Sequence, residues 1–176
     1  MIKQILVGVA ALATATVSAC ASEVDDGGPS DMQIAHIAYT AGNIDIRYAH
    51  LALAISDNPD VREFAETMLR DHVAVNDAAL ALLAKLEAAP EDNETSQVLL
   101  SQALEKRNEL KVLDGAAFDK AYAENELAYH QFVNKTVEEA FIPAADNQEF
   151  KELLGVALQT FKVHEGHAEM LVEKTK

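Results

Sequence analysis

Glu126 and His130 stand one helical turn apart in the stretch FDKAYAENELAYHQFV, residues 118–133. On a helical wheel they are separated by about 40°, close enough for a carboxylate and an imidazole to converge on one ion. His164 and His167 repeat the idea at i,i+3 spacing, about 60° apart. Two more polar residues fall where the surrounding pattern calls for apolar side chains. His72 interrupts the run Val61, Ala65, Met68, Val75, Ala79, Leu82, Leu86. Asp45 shares a face with the small residues Ala38, Ala41 and Ala52 and with Tyr48. Asp71 lies beside His72, next to Phe64 and Met68 around the wheel. Imidazoles and carboxylates without a thiol suit Zn, Cu, Fe or Mn. A carboxylate buried without a partner costs several kcal/mol, so Asp45 and Glu126 need a cation, a hydrogen-bond network or solvent.

Each of these residues also has a plainer reading. His72 alone reads as a hydrogen-bonded core histidine, and Asp71 as the partner of Arg70 in a surface ion pair. His164 and His167 near a helix C-terminus are favoured by the helix dipole. Glu126 faces solvent if the buried stripe runs through Asn125 instead. The case for a site rests on the coincidence that several helices carry such an interruption.

Those helices follow from the spacing of apolar residues. Ala and Leu dominate the apolar 49%, aromatics are only 6% and Trp is absent, which favours helix over strand. Ser30 followed by Gln33 fits a capping box that opens a first helix over about 31–56. Its stripe is Ile34, Ile37, Ala41, Ile44, Tyr48, Leu51 and Ile55, the 3-4 spacing of a helix lying nearly parallel to its neighbours. His36, Asn43 and His50 fall on a separate stripe that reads as solvated. Asn58-Pro59 is an N-cap and first helical position for a second helix over about 59–88. A shorter amphipathic segment over about 96–112 carries Leu99, Ala103 and Leu110, with Leu113 just beyond. It is long enough to be a crossover between the second and third long helices. Asp114 is expected to cap the third, over about 116–141, with the stripe Phe118, Tyr122, Glu126, Tyr129, Val133, Thr136 and Ala140 and a stop at Pro143. The fourth starts after Asp146, with Phe150, Leu153, Ala157, Phe161, His164, Ala168 and Leu171 inward.

The expected fold is all-α: a four-helix bundle with a short extra helix in that crossover. A longer helical hairpin that pairs with a second copy of the chain is the alternative arrangement. At ~1.5 Å per residue, Asp45 and His72 lie about 16 and 20 Å from the first inter-helix turn, and Glu126 and His164 about 22 and 25 Å from the last. Antiparallel neighbours therefore bring each pair to similar depth.

Export is written at the N-terminus. Residues 1–19 read as a signal peptide, with MIK as the positive start and ILVGVAALATATV as the apolar run. The run is short of the ~20 apolar residues of a membrane span. Val17-Ser18-Ala19-Cys20 resembles a bacterial lipobox, which implies cleavage before Cys20 and a lipid on its thiol. Cys20 is the single cysteine, so the chain holds no internal disulfide. Residues 20–30 read as a flexible acidic tether to a domain at 31–176. The expected location is the periplasmic face of the envelope, the outer membrane favoured over the inner. A net charge of −15 speaks against nucleic acid and anionic membrane surfaces as partners.

Several segments together resemble the bacterial lipoproteins of domain of unknown function 4142. They are Asn43–Ala54, the run from Asn58 through Val61-Arg62-Glu63-Phe64-Ala65, Met68-Leu69-Arg70-Asp71-His72, Asp114-Gly115 through Phe118-Asp119 with Tyr122, Glu126 with His130, and Phe161 with His164. The resemblance covers about residues 31–175. It implies export and a ferritin-like bundle, and it leaves the activity open. The family usually has Glu in the first helix where this chain has Asp45, which is one methylene shorter.

Ferritin-like di-iron proteins carry Glu-x-x-His on two helices. Here Leu69, Leu127 and Phe161 stand three residues before His72, His130 and His164, so ferroxidase-type chemistry is not expected. Nucleophile–base motifs and phosphate-binding glycine loops are absent. The leading expectation is a lipid-anchored envelope protein holding a transition metal through Asp45, His72, Glu126, His130 and His164, with Asp71 and His167 supporting them. Its role would be metal handling or stress protection rather than turnover. The rivals are a non-catalytic structural or interaction protein without metal, and an oxidase-type enzyme with an open coordination position.

Overall fold

A computed structural model describes residues 28–176 of the chain. The signal peptide expected over 1–19, the lipidation site Cys20 and most of the tether lie outside the described residues.

The described residues form an all-helical bundle without strands. Helix α1 spans Asp31–Ile55 and opens on the expected capping box, with the Ser30 hydroxyl accepting from the Gln33 amide and Gln33 Oε1 accepting from the Ser30 amide. Helix α2 spans Pro59–Lys85, capped by the Asn58 side chain accepting from the Asp60 amide at 3.0 Å. The crossover helix α3 spans Glu94–Leu110 and is capped by Asn93. Helix α4 spans Gly115–Thr136. Asp114 occupies its N-cap but makes no side-chain cap bond, and Gly115 takes φ +49°, a left-handed conformation that glycine adopts without strain.

The chain does not stop at Pro143. A π-helical turn at Val137–Phe141 is followed by the three-residue helix α5, Ile142–Ala144. The Ile142 amide reaches back five residues to the Val137 carbonyl. This wider turn lets the backbone accept a proline, whose ring would collide with the carbonyl four residues earlier in a regular α-helix. Helix α6 spans Gln148–Lys174, and Asn147, rather than Asp146, supplies its cap.

Cross-links define how the helices run. Asp60 pairs with Lys174 and Lys85 with Glu149, so α2 and α6 are antiparallel. The Asp31 carboxylate accepts from the Asp146 and Asn147 amides, joining the start of α1 to the start of α6. Ser56, at the end of α1, donates to Asp119 near the start of α4 at 2.5 Å, so α1 and α4 run oppositely. Helix α1 packs on α2, α2 on α6, α6 on α4 and α4 on α1, while α3 lies against α1.

Most expected inner positions are buried, but α2 and α4 differ. After His72 the buried residues of α2 are Asn76 and Leu83, whereas Val75, Ala79, Leu82 and Leu86 are half-buried. The inner residues of α4 after Glu126 are His130, Asn134, Val137 and Phe141, whereas Tyr129, Val133 and Thr136 are half-buried and Ala140 is exposed. Two successive steps of four, from Glu126 to His130 to Asn134, shift the stripe off the expected 3-4 seam before the π turn at Val137–Phe141. His50 is exposed as expected, but His36 is half-buried and its Nδ1 lies 2.8 Å from the Ser96 hydroxyl of α3. At the α1–α2 contact, a Cβ on Gly42 would stand 2.4 Å from Asn76 Oδ1, so only glycine fits this approach.

The core divides in two. One apolar cluster is built around Tyr48, Phe64, Met68, Phe118 and Tyr122; the other around Ile34, Leu83, Val137, Phe141 and Phe150. Between them, at mid-height, the bundle holds polar side chains.

Candidate metal centre

Four helices contribute to this polar layer. Asp45 comes from α1, His72 from α2, Glu126 and His130 from α4 and His164 from α6, each at most 3% exposed. The seam interruptions therefore do converge. Two triads of potential ligands share His130: His72, His130 and His164 form one, and Asp45, Glu126 and His130 the other, with ligand atoms within 4.8 Å of one another in each.

The separations fit coordination better than hydrogen bonding. His72 Nε2 and His130 Nε2 lie 3.4 and 3.6 Å from the same oxygen, Asp45 Oδ2. Neither contact is a hydrogen bond, and both Asp45 oxygens lack a partner. A tetrahedral ion with ligands at ~2.0–2.2 Å holds its ligand atoms about 3.3–3.6 Å apart. The three histidine rings are 5.4–5.8 Å apart between centroids.

Hydrogen bonds to the outer nitrogens fix two of the tautomers. His130 Nδ1 lies 2.9 Å from the Glu126 carbonyl, which can only accept, so Nδ1 carries the proton and Nε2 keeps its lone pair. His164 Nε2 lies 3.0 Å from Asp71 Oδ2, which leaves Nδ1 unprotonated, buried and without a partner. A carboxylate behind a histidine is the usual device for orienting a metal-binding ring. Asp71 fulfils the surface reading too, since Arg70 holds it through two hydrogen bonds. His72 has no partner on either nitrogen and is stacked on Phe161 at 4.7 Å.

Burial sets the protonation of the layer. It pushes the Glu126 carboxyl well above the usual carboxylate range, and the nearby Asp45 adds to the rise. Burial also lowers His72, and it lowers His164 to about 4 against the opposing pull of the Asp71 bond. The His72 and His164 imidazoles are thus held neutral, the form in which they bind metals. In total eight buried nitrogen and oxygen atoms of these five side chains have no hydrogen-bond partner. Buried polar groups are otherwise almost always satisfied, so this concentration marks a place shaped for something else.

His167 does not join the layer. It is exposed and lines a surface groove with Glu63, Thr67 and Met170. The inward stripe of α6 runs His164, Ala168, Leu171, which leaves position 167 at the rim. Asn134 was not among the expected site residues; it is buried one turn beyond His130 and donates to Glu165 at 2.6 Å and to the Phe161 carbonyl at 3.2 Å. Its four-residue offset from His130 is the one signal that marks it.

Bundle and layer together define an all-helical protein whose buried His and acidic groups could hold a metal ion. The chain belongs to the family of domain of unknown function 4142 (DUF4142), whose model matches residues 13–171. No curated protein and no solved structure shows significant similarity to it.

Proposed function

We propose that this chain is an exported, lipid-anchored protein with a ferritin-like four-helix bundle that binds one transition-metal ion for metal handling or envelope stress protection. The ligands are drawn from Asp45, His72, Glu126, His130 and His164, with Asp71 positioning His164. One observation carries the reading: five side chains from four helices bring eight unpartnered ligand atoms together, two of their contacts at coordination spacing. The ring of packing among α1, α2, α6 and α4, with α3 as the crossover, supports the ferritin-like assignment. The lipobox-like Val17–Cys20 supports the anchor at the periplasmic face.

Elemental analysis of protein exported with Cys20→Ser tests the metal. About one equivalent of Zn, Cu, Fe or Mn is expected, lost in His72→Ala and His164→Ala. Less than half an equivalent, unchanged by either substitution, rejects it. Labelling with radioactive palmitate, present in the wild type and absent in Cys20→Ser, tests the anchor.

A further inference from the structure

One cavity of about 110 Å³ adjoins the polar layer. Its walls are apolar, formed by Ile37, Val75, Leu99, Val133, Leu153 and Phe161 among others. Asp45, His72 and His130 close one end. Thr95 and Phe132, also in its lining, are exposed, so the space reaches the surface between α3 and α4. Phe132 is 53% exposed, an unusual place for a phenyl ring unless it edges an opening.

The polar groups of the lining are unevenly satisfied. The Tyr129 hydroxyl donates to the Ala41 carbonyl at 3.0 Å. The His72 nitrogens, the Asp45 oxygens and His130 Nε2 have no partner. A molecule entering this space meets hydrocarbon along its length and hydrogen-bonding atoms at its inner end. The space has about three quarters of the volume of an apolar cavity of about 150 Å³ that holds benzene, so a ring of that size would fill it and extend toward the opening at Thr95 and Phe132. A pocket with few, convergent polar groups selects a ligand's orientation through them.

We infer that this cavity is a binding site for a small, largely apolar molecule of about six or seven heavy atoms with one hydroxyl head, the head lying against Asp45 and His72. The inference goes beyond metal binding and does not require it, since the unpartnered Asp45 carboxylate accepts from a hydroxyl with or without an ion nearby.

Phenol and toluene serve as probes, differing by the head alone. Each is titrated into the full chain carrying Cys20→Ser, after treatment with EDTA, and followed by amide chemical shifts. Phenol is expected to give saturable shifts at Ile37, Val75, Leu99 and Val133, with toluene bound at least tenfold more weakly. Ala79→Phe, which adds a ring to the cavity wall, is expected to weaken phenol at least tenfold, as is Val133→Phe, made in case the first variant does not fold. Absence of saturable shifts in the wild type, or unchanged affinity in a folded cavity-filling variant, overturns the site. Equal affinity for phenol and toluene overturns the hydroxyl head. The metal content of the same preparation before EDTA is measured separately, so either reading can fail alone.

Discussion

Replacing His72 by leucine separates a metal ligand from a core histidine, because the two roles give opposite signs. In the metal-free protein His72 is buried and neutral, and neither ring nitrogen has a partner. Each buried polar group left unpaired costs about 1–3 kcal/mol. Leucine fills a similar volume and removes both. It forfeits the stack on Phe161, worth about 0.5–1.5 kcal/mol. With each unpaired nitrogen taken at the low end, the balance favours His72→Leu by about 0.5–1.5 kcal/mol, or roughly 1–6 °C for a chain of this size. With metal the order reverses. An ion at a thousandfold excess over its Kd stabilises the wild type by about 4 kcal/mol, and a variant that has lost a ligand gains far less. Thermal unfolding at pH 7.5, once in EDTA and once in excess zinc, reads both halves. The two melting curves should change places between the conditions. A leucine variant less stable than wild type in EDTA, or one that gains as much from zinc, refutes the argument.

Asp71→Ala removes the acceptor that orients His164, so metal affinity should fall about 10–100-fold by competitive chelation, and the protein in EDTA should lose about 1–3 kcal/mol because His164 Nε2–H is left unpaired. An unchanged affinity would show that the His164 ring needs no holding. Stability of the metal-free protein should depend on pH in two opposing ways. His164 is lowered to about 4, so the unfolded chain binds its proton more tightly, and stability falls by about 3 kcal/mol as pH drops from the ordinary histidine range through 4. Glu126 is raised, so its contribution is full below the ordinary carboxyl range and is lost as pH rises through its folded value. Urea midpoints against pH should therefore lose their acid limb in His164→Leu and their rise toward low pH in Glu126→Gln. Gly42→Ala places a methyl carbon against Asn76 at the α1–α2 contact and should cost about 1–3 kcal/mol in urea unfolding; a neutral result would mean that Asn76 moves aside freely.

Local chemistry and depth were readable from the sequence. Asn58-Pro59 and Ser30…Gln33 announced the starts of α2 and α1 because caps are decided by neighbouring residues. Helix rise alone placed Asp45 and His72 at similar depth, and likewise Glu126 and His164, and the bundle brings these residues into one layer. The slip came on α4, where His130 and Asn134 take inner positions and so hide the apolar pattern that reveals a register. His167 was included because spacing places two residues near each other without saying which of them faces inward. Asp119 could not be found as the partner of Ser56, since that bond joins helix ends 63 residues apart. Asp114 takes the N-cap position of α4 as expected, but its side chain makes no cap bond, and Gly115 beside it takes φ +49°.

The composition of the layer argues for a divalent ion. Burial holds His72 and His164 neutral at neutral pH, and the acidic groups of the layer are Asp45 and Glu126. Two carboxylates at the centre of a bundle repel each other, and Glu126 meets this by holding its proton. A divalent cation held there would balance both carboxylates and displace that proton, which would link metal uptake to proton release. Monovalent copper would find no sulfur ligand in the layer to favour it. Large apolar clusters lie on either side of the layer. Burial of all five side chains would make an ion's field strong there, because little solvent screens it. A bundle seeking stability alone would gain by replacing His72 with leucine, and the sequence forgoes that gain at the one level where four helices contribute polar side chains together.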